Sequence, residues 1–292
     1  MRDPESPKIS IGLPVFNGQQ YLDAAVDSVL SQTYPDFELL IADNCSTDAS
    51  LAMARAWQES DRRVKVIESP RNLGAAPNFN RVVTAARGEL FKWMACDDLI
   101  VPDFLSKCVQ RMEQDPAAVL VYSDAVKIDE EGNQTRPIYD TGMELMTNSP
   151  DPVIRFRDLV LKDHSCISVF GLFRKDALCK TDLIGSYFAS DRVLLADLAL
   201  LGPFSRIDEP LILHREHLGR STRSIPRARD RVAWFDTSLS EARVFPHWRL
   251  LKEYGSAVAR SEMSWRQRAH CFVHLLRWIA QRNGRDLLHD LR

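Results

Sequence analysis

The chain has 292 residues, 45% of them hydrophobic, enough for one large domain with or without a helical appendage, an organisation favoured over two full-sized independent domains. A formal net charge of -2 and an isoelectric point near 6.4 exclude long-range attraction to nucleic acid, so any ligand must be recognised by a local site. The six cysteines form neither a CxxC pair nor a disulfide scaffold and read as reduced thiols of a cytosolic protein. The N-terminal "MRDPESPKIS" carries no apolar signal region, and no stretch reaches the roughly 18 uncharged apolar residues of a membrane span. A soluble, or at most peripheral, protein is expected.

From residue 8 to 123, short apolar runs alternate with segments of helical period. The runs are "KISIGL", "FELLIA", "VKVI", "ELFKWM" and "VLVYS", a βαβαβαβαβ order that predicts an α/β fold with a mostly parallel sheet. Leu22, Val26, Val29 and Leu30 share one face of the first helix, as in a helix lying on a sheet. Pro77 and Pro102 suit first turns of later helices, and Gly88 suits a helix end. Beyond residue 124, "IDEEGN" reads as a turn that leads into a loop-rich stretch through "TNSPDPVIRF". After it come a strand at "CISVFGLF", a helix at "SDRVLLADLALLG" with Ser190 as N-cap, and a strand at "SRIDEPLILHREH". Residues 226–292 read as helical.

In a parallel sheet, ligands sit outside the carboxyl ends of the strands, so Pro14 to Asn17, Asp43 to Asp48, Ser69 to Gly74 and Cys96 to Asp98 carry most weight. Neither GxGxxG nor GxxxxGK[ST] occurs, which disfavours dinucleotide and P-loop sites. The adjacent Asp97 and Asp98 repel each other unless a cation is shared. Magnesium or manganese is commonly held by one or two carboxylates together with substrate phosphates. The same pair also fits a helix cap or a turn.

With these residues in place, a resemblance becomes specific. The stretches "ISIGLPVFNGQQYLDAAVDSVLSQTYPDFELLIADNCSTD", "RNLGAAPNFN", "ARGELFKWMACDDL", "SDRVLLADLALLG" and "REHLGRST" occur in the order expected of a family 2 glycosyltransferase, and the chain resembles that family over most of residues 8–225. The resemblance implies a GT-A fold and an inverting transfer of a sugar from a nucleoside diphosphate donor to a hydroxyl acceptor, in glycan or polysaccharide biosynthesis. It implies that Pro14, Val15 and Asn17 line the base and ribose pocket and that Asp43 hydrogen-bonds the base, as a pyrimidine N3–H would require. Asn72 and Gly74 would set a loop beside the nucleotide, with Arg71 near the diphosphate. Asp97 would contact ribose or metal and Asp98 the metal, magnesium or manganese, with His217 as a further ligand. Asp191 matches the family's catalytic carboxylate. Where most members carry an acid, this chain has Cys96, a departure that keeps a non-catalytic nucleotide-sugar-binding protein as the alternative. A nucleotidyltransferase would show a glycine-rich loop in place of "LPVFNG".

Several of these residues also have structural uses. Asp43 fits an Asx turn in "DNCSTD", and Arg71, Arg220 and Arg223 fit solvated loop cations. His214 and His217 fit structural histidines. Asp191 fits an acid in a helix's first turn, where the macrodipole would lower its pKa and weaken it as a base. The expected organisation is a catalytic domain over 1–225, divided into a nucleotide-sugar half (8–123) and an acceptor half (124–225), followed by a helical extension over 226–292. In the extension, Phe272, Leu275, Leu276 and Ile279 fall on one helical face, which fits packing on the catalytic domain, homo-oligomer formation or peripheral membrane contact.

Overall fold

A computed structural model describes residues 6–138, 145–219, 234–239 and 245–290. Four strands, β1 (Ile9–Val15), β2 (Phe37–Asp43), β3 (Val64–Glu68) and β4 (Leu90–Trp93), stand parallel in the order β3-β2-β1-β4. The helices α1 (Leu22–Leu30), α2 (Ser50–Ser60) and α3 (Ala75–Ala85) connect them. Every residue of β1 and β2 is buried, as expected of parallel strands covered on both faces. Next come β5 (Leu99–Ile100), α4 (Phe104–Gln114), β6 (Leu120–Ile128), β7 (Gln134–Ile138) and α5 (Pro152–Leu161). They are followed by β8 (Leu172–Arg174), α6 (Lys175–Leu178), α7 (Ser190–Leu201) and β9 (Phe204–Arg215). The nine-stranded sheet continues from β4 through β8, β6, β9 and β5, with β7 paired to β6. Here β8 runs antiparallel to both its neighbours and β9 parallel to β6, so the second half of the sheet is mixed.

Helices cover both faces. Leu22, Val26 and Val29 of α1 join Ala54 of α2 and Phe104, Leu105 and Cys108 of α4 on one side. On the other, Val82 and Val83 of α3 meet α5, α7 and the C-terminal helices α8 (Pro246–Arg260) and α9 (Trp265–Trp278), which precede α10 (Gly284–Asp290). Leu250, Tyr254, Cys271, Leu275 and Trp278 therefore share a core with Phe156 and Leu194.

Several expectations need correction. "CISVFGLF" forms a 3₁₀ turn (Ile167–Phe170) and then the short β8, because Cys166 is left-handed (φ 58°) and breaks the extended run. "PVIRF" is helical, started by Pro152 and by the Asp151 carboxylate, which caps Val153 N–H. Pro102 lies before α4, whose N-cap position is Asp103, and its carbonyl accepts from Thr33. Gly88 ends no helix; it lets the chain pass against β1, since a Cβ there would lie 2.5 Å from Ser10 N. The N-cap position of α7 is the left-handed Ala189, and the Ser190 hydroxyl is buried without a partner among the described residues. In α9, Leu275 turns inward with Cys271 and Trp278, whereas Phe272 and Leu276 stay exposed. The boundary at 225 lies outside the described residues.

Helix α3 can lie close on β1 because Gly12 has no side chain. A Cβ there would fall 2.4 Å from Val82 Cγ2 and 2.9 Å from the Phe91 ring. Gly12→Ala should lower the unfolding free energy by about 1–3 kcal/mol through overpacking, measured by urea denaturation.

Candidate active site

The loops after β1, β2 and β3 are knitted together by side chains that sequence spacing alone leaves unassigned. Asn17, left-handed at φ 52°, donates its N–H to Ser46 Oγ (3.0 Å) and accepts from Thr47 N–H (2.8 Å) through Oδ1. Asn44 is the central clamp. Its Nδ2 donates to Asn72 Oδ1 (2.9 Å) and to the Gly74 carbonyl (3.1 Å), while its Oδ1 accepts from Leu73 N–H (2.9 Å). Gly74 needs its positive φ of 90°, and a Cβ there would meet the carbonyl of Phe235 at 2.5 Å. Thr237 Oγ1 closes the contact by donating to the Asn72 carbonyl.

Asp43 lies at the floor of this loop cluster, 1% exposed. Its Oδ2 accepts from Ser46 N–H (3.1 Å), the Asx turn expected from "DNCSTD". Its Oδ1 is buried with no hydrogen-bond partner among the described residues. An unpartnered buried carboxylate oxygen costs free energy, so this atom is an acceptor in wait of a donor. Pro14 and Val15 belong to β1, with Val15 beside Asp43 in the register. Arg71 is exposed, its carbonyl held by Ser69 Oγ.

The paired aspartates stand beyond the end of β4, gripped by the end of β9. His214 Nδ1 donates to Asp98 Oδ2 and His217 Nε2 to Asp97 Oδ2, each at 2.9 Å. Between them, Arg215 N–H donates to Asp98 Oδ1 (2.9 Å), and the Arg215 guanidinium donates to the Asp97 carbonyl (2.9 Å). The same guanidinium reaches the carbonyls of Asp129 and Glu130 and lies 4.8 Å from the centre of the Tyr21 ring, which also packs on His217. Burial pushes the Asp97 carboxyl up, but the His217 hydrogen bond and the charges of His217 and His214 prevail and hold it below the usual carboxylate range. Thus the repulsion between neighbouring acids is relieved by one histidine for each.

Sequence reasoning weighted His217 and left Arg215, Tyr21 and Asn44 aside. His214 is the penultimate residue of β9 and His217 lies two residues past its end, and their three-residue spacing carries no strand periodicity that would point both at the aspartates. Lys92 was also missed. It is fully buried, donates to the Phe170 carbonyl, lies 4.3 Å from the centre of the Phe104 ring, and has its pKa lowered by burial to about 8, with Asp98 and Cys108 opposing that shift. Cys96 packs with the apolar cluster beneath the first loop, where a Cβ on Gly18 would lie 3.1 Å from its Sγ. Arg220 and Arg223 lie outside the described residues.

Asp191 belongs to a different set of contacts, at the start of α7. It keeps partial solvent access, yet its carboxylate is crowded by protein atoms. That burial raises its pKa above the ordinary 3.8, against the opposing pull of Arg192 N–H, the Arg192 charge and the Cys166 thiol. The expectation that the helix terminus would lower its pKa is therefore corrected: desolvation outweighs the macrodipole. Arg192 is itself anchored on the carbonyls of His164 and Lys162 and on the Tyr254 hydroxyl, so α8 supports the carboxylate from behind.

A raised carboxyl pKa destabilises the fold once the group ionises. The stability it contributes is present below the unfolded-state pKa and is lost as pH rises through the higher folded-state value. Asp191→Asn removes that loss, so the melting temperature of the variant minus that of the parent should increase between about pH 4 and pH 7. Scanning calorimetry across that range checks the sign.

Comparison with known proteins agrees with this architecture. The model of the family "Glycosyl transferase family 2" matches residues 10–181. An uncharacterized glycosyltransferase of Haemophilus influenzae is 35% identical over 130 residues, 44% of this chain and 52% of that protein. Chondroitin synthase of Escherichia coli is 33% identical over 127 residues, 44% of this chain and 18% of the synthase. The matched segment thus spans about half or less of these relatives. Among solved structures, S. aureus TarS in complex with UDP-GlcNAc superposes with a TM-score of 0.71 at 15% identity, over 97% of this chain and 79% of TarS. The mannosyltransferase PcManGT of Pyrobaculum calidifontis, in complex with GDP-Man and Mn2+, gives 0.58 at 17% identity, over 100% of this chain and 75% of that one. With the GT-A fold in place and the family model covering more than half of its length, the chain belongs to glycosyl transferase family 2.

Proposed function

We propose that the protein is an inverting glycosyltransferase that moves a sugar from a nucleoside diphosphate, in a divalent-cation-dependent reaction, to a hydroxyl acceptor during glycan or polysaccharide synthesis. The observation that carries this reading is Asp43 Oδ1, buried and without a partner among the described residues, in loops knitted at the carboxyl ends of β1–β3, in a family 2 domain whose Asp97–Asp98 pair follows β4. Asp43 then accepts a hydrogen bond from the N–H of a pyrimidine base, and Val15, Asn17 and the Asn72–Gly74 loop border the nucleoside. The ligands named for the two solved relatives, UDP-GlcNAc and GDP-Man with Mn2+, support a nucleotide sugar as the donor class. Free cysteines fit a reducing compartment such as the cytosol.

The carboxylates of Asp97 and Asp98 are hard oxygen donors that suit magnesium or manganese; His217 would add a borderline nitrogen by giving up the Nε2–H bond it donates to Asp97. A cation held by one or two carboxylates takes its remaining ligands from substrate phosphates and water. The cation, when bound, supplies Lewis-acid stabilisation of the charge that develops on the departing diphosphate.

In the displacement, the acceptor oxygen forms a bond to the anomeric carbon while the bond from that carbon to the phosphate oxygen breaks. The nucleoside diphosphate leaves with the electron pair. Asp191 takes the acceptor's hydroxyl proton, and its raised pKa brings it closer to working pH and so makes it a better base than an exposed carboxylate. Its ionised form is the active one, so the transfer rate should fall as acidification protonates it.

Asp191→Asn should leave donor affinity intact and lower single-turnover transfer by about 10²–10⁴-fold. Parent-like transfer in a folded variant would remove Asp191 from the chemistry. Asp98→Ala should abolish both transfer and metal-dependent donor binding; near-normal turnover would sink the metal assignment.

A further inference from the structure

Helix α9 has two apolar faces. The inner one, Cys271, Leu275 and Trp278, is buried in the core. The outer one faces solvent: Trp265 is 74% exposed, Phe272 44% and Leu276 65%. With Ala269, also exposed, these residues recur at intervals of four, three and four, a single stripe along the solvent side. The row one position further on holds Arg266, His270, Val273 and Arg277, all exposed, so a basic edge runs beside the apolar stripe. Helix α9 carries three arginines and no acid, in a chain whose overall charge is -2.

We infer that this face docks the enzyme on an anionic lipid bilayer, with Trp265, Phe272 and Leu276 entering the interface and Arg266 and Arg277 meeting lipid phosphates. Charge decides between lipid and a second copy of the chain. A symmetric pair would bury the same apolar stripe but bring two acid-free, arginine-edged helices together. An anionic surface satisfies both rows at once: the apolar side chains leave water and the arginines find counter-charge within a Debye length. Tryptophan at the start of the stripe suits the headgroup level, where its ring is apolar and its N–H stays wet.

The test uses the full chain, sedimented with vesicles of phosphatidylcholine alone or mixed with phosphatidylglycerol, at low and high salt. Binding to the phosphatidylglycerol vesicles, weak binding to the neutral ones, and loss of binding with salt are expected. Phe272→Glu with Leu276→Glu should abolish sedimentation while the melting temperature stays within a few degrees of the parent. Arg266→Gln and Arg277→Gln should each weaken partitioning by about five-fold. Leu276→Ser carries the same comparison should the double variant fail to fold. Failure to bind phosphatidylglycerol vesicles, or binding that survives in a folded Phe272→Glu/Leu276→Glu variant, overturns the proposal. So does a concentration-dependent dimer that Leu276→Glu dissociates, since a second copy would then cover the stripe.

Discussion

The grip of the last residues of β9 on Asp97 and Asp98 is the interaction on which the candidate site depends. Two carboxylates in sequence at the end of a parallel strand would repel each other and unsettle the chain that carries them. Here the extended backbone of β9 sends His214 to one of them and His217, just beyond the strand, to the other, while Arg215 between the histidines donates its N–H to the Asp98 carboxylate and its guanidinium to the Asp97 carbonyl. Arg215 also holds the turn between β6 and β7 through the carbonyls of Asp129 and Glu130. A residue 117 positions from Asp98 thereby joins the parallel half of the sheet to its mixed half.

Around that grip, burial sets the electrostatics in opposite directions at different carboxylates. Asp97 is partly enclosed but sits beside imidazoles, and it is held ionised. Asp191 is enclosed with weaker compensation, and its pKa rises. Carboxylates driven apart in this way are suited to different work, one to cation and phosphate, the other to a proton. Asp43 adds a third condition, a buried oxygen with no partner among the described residues. Holding it there costs stability that a bound base can return, a cost more readily understood in a binding site than in a core.

Much of this was legible in the sequence. The apolar runs located β1 to β4 and β6; β1, β2 and β4 are buried along their whole length and so continuous in hydrophobicity, whereas β3, at the sheet edge, keeps Lys65 and Glu68 exposed. The strand-end rule pointed to Asn17, Asp43, Asn72 and the aspartate pair, which proved to be held in two knitted clusters. Long-range partners were not legible. Nothing local in "HREH" says that its histidines meet Asp97 and Asp98, nor does Asn44 announce that it will bind the loop at Asn72. Cys166 and Ala189 adopt left-handed backbone without being glycine, so the strand and the cap expected there gave way to tertiary demand. The two apolar faces of α9 were read as one, since spacing reveals which residues align but not which face finds the core.

The most direct test of the donor site is a calorimetric titration of the parent protein with UDP, TDP and GDP, each with and without manganese. One nucleotide should bind at least about ten-fold more tightly when manganese is present, a gain of about 1.4 kcal/mol, because the aspartate pair and the diphosphate share the cation. Equal affinity with and without the metal for every nucleotide, or no binding at all, would contradict a cation-assisted nucleotide-sugar site at Asp97 and Asp98.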